Sequence, residues 1–205
     1  MTVKKLALMA VLTAVALIIF IIEALIPIPI PIPGVKLGLA NAVTLFALFY
    51  SSTGRLMPPD FNTSVSSALS LSSEIPQCQN RIVKSVPVSY LTTINAFAIL
   101  MCRIILGALF TGRVVAFAYS ITGGLLGFAA QVVAKRFVTD KQIWVCGAIG
   151  AVFHNIGQIL AAIFITGTPA IVTYLPVLII SGIFTGVITG LIAQFTLARI
   201  PKAAN

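Results

Sequence analysis

The sequence predicts an all-α, polytopic membrane bundle of about six transmembrane helices, with a Pro-rich loop after the first. Three observations carry that reading. Of 205 residues, 59% are hydrophobic and 8% are charged, where a soluble domain carries roughly a quarter charged residues. Mean hydropathy is +1.11, and the apolar residues come in runs, most of them near the ~20 residues that a spanning helix needs. The basic residues behind the net charge of +9 flank these runs. That placement follows the positive-inside rule, so the charge does not point to nucleic acid.

The first segment runs from about Leu6 to Ile26. Lys4-Lys5 before it imitates a signal peptide. The apolar run is long for one and no small-x-small cleavage site follows, so a retained transmembrane helix is expected. Ala10 and Ala14 form a small-xxx-small pair that lets another helix approach closely, and Glu23 lies near the far end. Proline at every second position from Pro27 to Pro33 forbids a helix and predicts a stiff, extended loop that could cap a pocket. Apolar but irregular backbone of this kind survives at membrane depth only when protein covers it or it lines a cavity. Segment two, about Leu37 to Tyr50, is short for a span and starts near Lys36, Gly38 and Asn41. Residues 51–94 are polar and serine-rich without a helical apolar period, and read as a disordered cytoplasmic insert within a single transmembrane domain, 1–205. The insert's sequon at Asn62 carries little weight on a cytoplasmic loop.

Segment three is expected from about Asn95 to Phe110, with Arg103 near its middle. Segment four runs from Val114 to Ala134 with Gly123, Gly124 and Gly127, and segment five from Ile143 to Thr166. Gly167-Thr168-Pro169 then breaks the chain before segment six, about Ala170 to Leu197, where Gly182, Gly186 and Gly190 make a smooth contact stripe. Six spans put both termini on one side. Placing that side in the cytoplasm leaves Lys4, Lys5, Arg55, Arg81, Lys84, Lys135, Arg136, Lys141, Arg199 and Lys202 inside and only Lys36 and Arg113 outside. The expected location is the plasma membrane, with both ends cytoplasmic.

Polar residues inside the spans are the candidates for function, because lipid penalises them. Arg103 has two readings: an internal partner such as Glu23 or backbone carbonyls, or a contact for an anionic ligand. His154, the single histidine, shares a helical face with Gln158 four residues on, with Asn155 beside them. They either hold the bundle together by interhelical hydrogen bonds or form one wall of a binding pocket. Lys36 either snorkels to the interface or joins Asn41 at that pocket. Metal chemistry is poorly supported, with one histidine and with Glu23, Asp60, Glu74 and Asp140 as the acidic residues. Cys78, Cys102 and Cys146 show no CxxC spacing. No nucleophile–base pair and no nucleotide loop stand out, so neither an enzyme nor a bound cofactor is expected.

The opening KLALMAVLTAVALIIFIIEALIPIPIPIPGVKLGLANAVTLFAL, then RIILGALFTG, SITGGLLG, GAVFHNIGQILAA and GTPAIVTYLPVLIISGIFTGVITG, resemble a bacterial family labelled heptaprenyl diphosphate synthase component I, also called the Gx transporter family. That family is similar to the S components of energy-coupling factor transporters. The resemblance covers nearly all of the chain except residues 51–94. It implies a six-helix subunit that binds a small molecule from outside. A transmembrane coupling subunit and ATPases in trans would supply energy. It also implies pocket roles for Lys36, Asn41, Arg103, His154, Asn155 and Gln158, a lid role for the proline loop, and partner docking at Ala10 and Ala14. Lys36 and Arg103 would suit an anionic substrate.

The synthase label itself meets a chemical obstacle. Diphosphate chemistry needs magnesium held by clustered aspartates, and Asp60 and Asp140 stand alone. A non-catalytic accessory role in polyprenyl diphosphate synthesis is the alternative reading, and an ion-driven carrier a third. One departure from the family stands out. Members have a short connection where this chain has residues 51–94, and the insert is expected to shorten segment three.

Overall fold

The computed structural model describes residues 3–25, 38–50, 91–112, 114–139 and 141–200. The proline loop with Lys36, residues 51–90 with Asn62 and Cys78, and the chain end beyond residue 200 lie outside the described residues. The described elements are helical: α1 (Val3–Leu25), α2 (Asn41–Tyr50), α3 (Thr93–Thr111), α4 (Val114–Ala134), α5 (Ile143–Thr166), a 3-10 turn (Pro169–Tyr174) and α6 (Leu175–Arg199). Five of these, α1, α3, α4, α5 and the 3-10 turn with α6, are long and apolar enough to cross a membrane. With the shorter α2 they form the all-α multi-pass bundle that the composition predicts.

Helix α2 is the axis of the bundle. It packs against α1, α3, α4, α5 and α6 alike. Eight of its ten residues are buried, including Asn41, Thr44, Leu48 and Phe49. Ten residues rise about 15 Å, half of a ~30 Å hydrocarbon core. The described residues of α2 therefore account for only part of a membrane crossing. At the C-terminal end Lys135 Nζ donates to the Leu48 carbonyl at 2.7 Å and lies 5.7 Å from the centre of the Phe49 ring. A cation there complements the negative end of the helix dipole. The start of α2 falls four residues later than the apolar pattern predicts. Leu39 and Ala40 form a turn, with Asn41 N–H on the Gly38 carbonyl at 2.9 Å.

The long helices associate through small residues. The most extensive contacts are between α5 and α6, followed by α4 and α5. Both seams run along glycine. A Cβ on Gly186 would meet the Gly147 carbonyl at 2.6 Å, Ala148 Cα at 2.7 Å and Ala151 Cβ at 2.9 Å. One on Gly157 would meet the Thr122 carbonyl at 2.8 Å, and one on Gly127 the Gly150 carbonyl at 2.8 Å. Lipid gives little hydrophobic drive for helix pairing, so close backbone approach with dense dispersion contact replaces it.

Two further boundaries differ from the apolar pattern. Leu91 is fully buried, and α3 begins at Thr93, ahead of the expected Asn95, and has 19 residues. The Asn95 amide supports its start. Turned to satisfy its neighbours, Asn95 Oδ1 accepts from Thr92 N–H at 2.7 Å and Lys5 Nζ at 2.9 Å. Segment six divides, because Pro176 sits in the first turn of α6, where its missing N–H costs no helical bond. The residues before it wind as the 3-10 turn.

Replacing Gly186 by valine drives a side chain into backbone that cannot yield, and should lower stability by about 1–3 kcal/mol. Thermal melting of the purified protein in detergent checks this. A melting point equal to wild type would mean that the α5–α6 seam is not as tight as described.

Candidate functional site

The candidate polar residues of the spans divide into two groups with different surroundings. The first gathers at the N-terminal end of α2. Arg103, from the buried face of α3, donates Nη2–H to Asn41 Oδ1 at 3.2 Å. Glu23, near the end of α1, is buried, accepts Gly38 N–H and acts electrostatically on Arg103. Gly38 has φ +80°, a left-handed conformation that suits glycine. There is also no room for more: a Cβ at Gly38 would lie 3.1 Å from His154 Cδ2 and 3.3 Å from Asn41 Nδ2.

His154 projects from α5 into the same place. A Cβ on Gly123 of α4 would stand 3.0 Å from His154 Cε1 and 2.9 Å from Gln158 Cγ, so both side chains lie over that glycine. Gly124, one residue on, leaves space for α3. A Cβ there would sit 2.9 Å from Ile104 Cδ1 and 3.9 Å from Arg103 Nη2. The glycines of α4 thus clear the volume that the arginine, histidine and glutamine fill.

These side chains are sealed from solvent and incompletely paired. Arg103 and His154 are 3% exposed and Gln158 1%. Among the described residues, Arg103 Nε, His154 Nδ1 and Gln158 Oε1 have no hydrogen-bond partner. A buried polar group without a partner costs roughly 1–3 kcal/mol. Three such atoms in one cluster inside an apolar bundle call for something to satisfy them.

The second group is Asn155 with α6. Its Nδ2 donates to the Leu178 carbonyl at 2.5 Å, beside Gly182. Adjacent in sequence to His154, it is turned about 100° around the helix and faces a different neighbour. Asn155 therefore works as an interhelical tie between α5 and α6, while His154 and Gln158 face the Arg103 cluster. Of the six pocket candidates, the structure brings Asn41, Arg103, His154 and Gln158 together and sets Asn155 apart. Lys36 lies outside the described residues. The sequence reading left out Gly38 and Glu23 as site residues; the left-handed Gly38 and a carboxylate at a helix end were the available signals.

Ala10 and Ala14 are exposed on α1. They line a groove of about 390 Å³ between α1 and α3, together with Leu6, Met9, Thr13, Ala98 and Cys102. A second groove, of about 280 Å³, separates the other side of α1 from α6. Helix α1 contacts only α2 and α3 among the described helices. Among the described residues, no three His, Cys, Asp or Glu side chains stand close enough to hold a metal ion.

The fold defines a polytopic α-helical membrane protein with a buried polar cluster. Residues 12–57 and 80–196 match the family described as heptaprenyl diphosphate synthase component I, and the chain belongs to that family. Residues 58–79 fall outside the match, so the family-like sequence extends further into the polar stretch than its composition indicates. Comparisons with curated proteins and with solved structures give no match.

The division between the two groups is testable. Asn155→Ala should lower stability by about 1 kcal/mol, in the range of interhelical hydrogen bonds in membranes, as measured by chemical or thermal unfolding in detergent. An unchanged stability would show that the contact to Leu178 contributes nothing.

Proposed function

We propose that this protein is the membrane-embedded, substrate-binding subunit of a small-molecule uptake transporter, akin to an S component. It binds its solute at the Asn41–Arg103–His154–Gln158 cluster. A transmembrane coupling subunit and ATPases in trans drive transport, in a plasma membrane with both termini cytoplasmic. The observation that carries this reading is the set of sealed, unpaired polar atoms on Arg103, His154 and Gln158. A polar atom buried in an apolar bundle without a partner is costly, and three of them meet at this one place.

The outer surface supports the partner half of the proposal. Most of α1 faces away from the bundle, and its inward stripe is Ala16, Phe20 and Glu23. With grooves on both sides and the small Ala10 and Ala14 exposed, α1 can receive another helix without disturbing the cluster.

A second reading comes from the family's own description. As an accessory to polyprenyl diphosphate synthesis, the protein would bind a synthase subunit at the membrane and need no solute of its own. Co-expression with a prenyl diphosphate synthase subunit tests it: increased synthase activity in membranes, without solute binding, favours this role over transport.

Two measurements check the transport reading. In a thermal-shift screen of purified protein, a solute that binds the folded state raises the melting point by mass action. Arg103→Ala should then weaken that solute at least tenfold, about 1.4 kcal/mol; equal affinity would remove Arg103 from the site. Separately, Ala10→Trp or Ala14→Trp should abolish co-purification with a coupling subunit while leaving solute affinity unchanged. Retained co-purification would rule out docking at this face.

A further inference from the structure

A hollow on the outer surface of the bundle belongs neither to the buried cluster nor to α1. It lies between α4 and α5 and holds about 440 Å³. Its lining includes Ala129 and Ala130, whose small side chains leave the space, and the larger Val133, Phe137, Ile149 and Phe153. Phe137 is 81% exposed and Phe153 41%, so both rings stand at the membrane-facing surface. Among the described helices α1 touches neither α4 nor α5, so docking on α1 leaves this hollow as it is. The lining runs from Leu126 in α4 to Phe137 in the turn after it, about 15 Å at the helical rise and half of a ~30 Å hydrocarbon core. That is the depth of one leaflet. Spread over this length, the volume leaves a cross-section of roughly 30 Å², whereas a helix with its side chains is about 10 Å across. The hollow has the width of an acyl chain and is too narrow for a helix.

The end of the hollow is basic. Arg136 N–H donates to the Val133 carbonyl at 3.1 Å and Phe137 N–H to the Ala134 carbonyl at 2.9 Å, so the turn bearing Arg136 closes directly on the lining. Lys141 stands two residues before α5. Lys135 is turned inward to the Leu48 carbonyl, whereas Arg136 and Lys141 are exposed. Asp140 lies outside the described residues; counted in full against the three bases, it still leaves the connection from Lys135 to Gln142 net positive. Residues 51–90, which join α2 to α3 at this end, carry Arg55, Arg81 and Lys84 against Asp60 and Glu74, and so add no net negative charge. Trp144, in the first turn of α5, is 40% exposed, as suits a residue at headgroup level. We propose that this hollow binds a phospholipid with an anionic headgroup. One acyl chain lies along the alanines between α4 and α5, and the headgroup phosphate meets Arg136 and Lys141. Basic side chains at this level attract anionic lipid, and a zwitterionic lipid offsets the same phosphate with its own ammonium. The site is independent of the solute-binding reading.

The test is native mass spectrometry of the full chain in detergent, with phosphatidylglycerol and phosphatidylcholine of identical acyl chains added in equal amounts. The wild type should retain phosphatidylglycerol about tenfold better. The double variant Arg136→Gln, Lys141→Gln should lose that preference. Ala129→Trp, which fills the hollow, should lower retention of both lipids, and soluble glycerol phosphate should displace neither. Equal retention of the two lipids by the wild type would overturn the proposal, as would an intact preference in the double variant. Displacement by glycerol phosphate would overturn the role of the acyl chain. A dimer that Ala129→Trp abolishes would give the hollow to a second copy of the chain and overturn lipid as its occupant. The double variant alters only exposed side chains, so the ranking of the two lipids decides even if Ala129→Trp does not fold.

Discussion

A guanidinium held inside an apolar bundle is the constraint on which the rest of this structure depends. Arg103 lies on a helix that lipid would otherwise surround, and an arginine at such depth persists only with partners. The bundle supplies them by ending a helix early. Because α2 begins at Asn41, its first side chain lies where Arg103 can reach, just after the turn at Leu39 and Ala40. Irregular backbone at this depth is tolerated because α1, α3, α4, α5 and α6 all pack around α2. The opposite end of the same helix is held by Lys135 on the Leu48 carbonyl. A helix with eight of its ten described residues buried is thus met near both ends by cations carried on its neighbours.

The glycine seams are the second half of that arrangement. Close approach of α4, α5 and α6 turns three helices into one dense slab. Rigid backbone is what allows His154 and Gln158 to be aimed, since a side chain is positioned only as well as the helix that bears it. The glycines facing the cluster have a different effect from those in the seams. Gly123 and Gly124 remove volume where the histidine, the glutamine and the arginine's helix need it, whereas Gly147 and Gly186 bring backbones together. In contrast, α1 contacts only α2 and α3 and is flanked by grooves. Helices α4 to α6 are thus tightly packed, while α1 joins the bundle through α2 and α3 and brings the buried Glu23 to the N-terminal end of α2.

Much of this was legible in the sequence because membrane proteins write their architecture in long apolar runs. The bounds of α4 and α5 follow directly from such runs, and the polar misfits Arg103 and His154 announce themselves against them. What periodicity could not provide was the direction of each misfit. His154, Asn155 and Gln158 look like one group on a helical projection. Only the packing of α4 against one side of α5 and α6 against another separates the tie to Leu178 from the cluster at Asn41. The start of α2 was also hidden, because Leu37, Leu39 and Ala40 continue its apolar character while the left-handed Gly38 has already ended the helical path. The start of α3 was hidden too, since Thr92 and Thr93 are polar although Leu91 beside them is sealed in the core.

The N-terminal end of α2 is where the buried polar groups converge. An arginine at a helix N-terminus has the makings of an anion site, because both features favour negative charge. Here a carboxylate of the chain itself stands beside it: Glu23 accepts the amide ahead of α2 and acts electrostatically on Arg103. Part of the cost of burying the guanidinium is therefore met inside the protein. A buried group left without a partner costs about 1–3 kcal/mol, and Arg103 Nε, His154 Nδ1 and Gln158 Oε1 are such groups among the described residues. The bundle thus answers charge with charge at this place and leaves hydrogen-bonding capacity unmet, and it is that unmet capacity on which the solute-binding proposal stands.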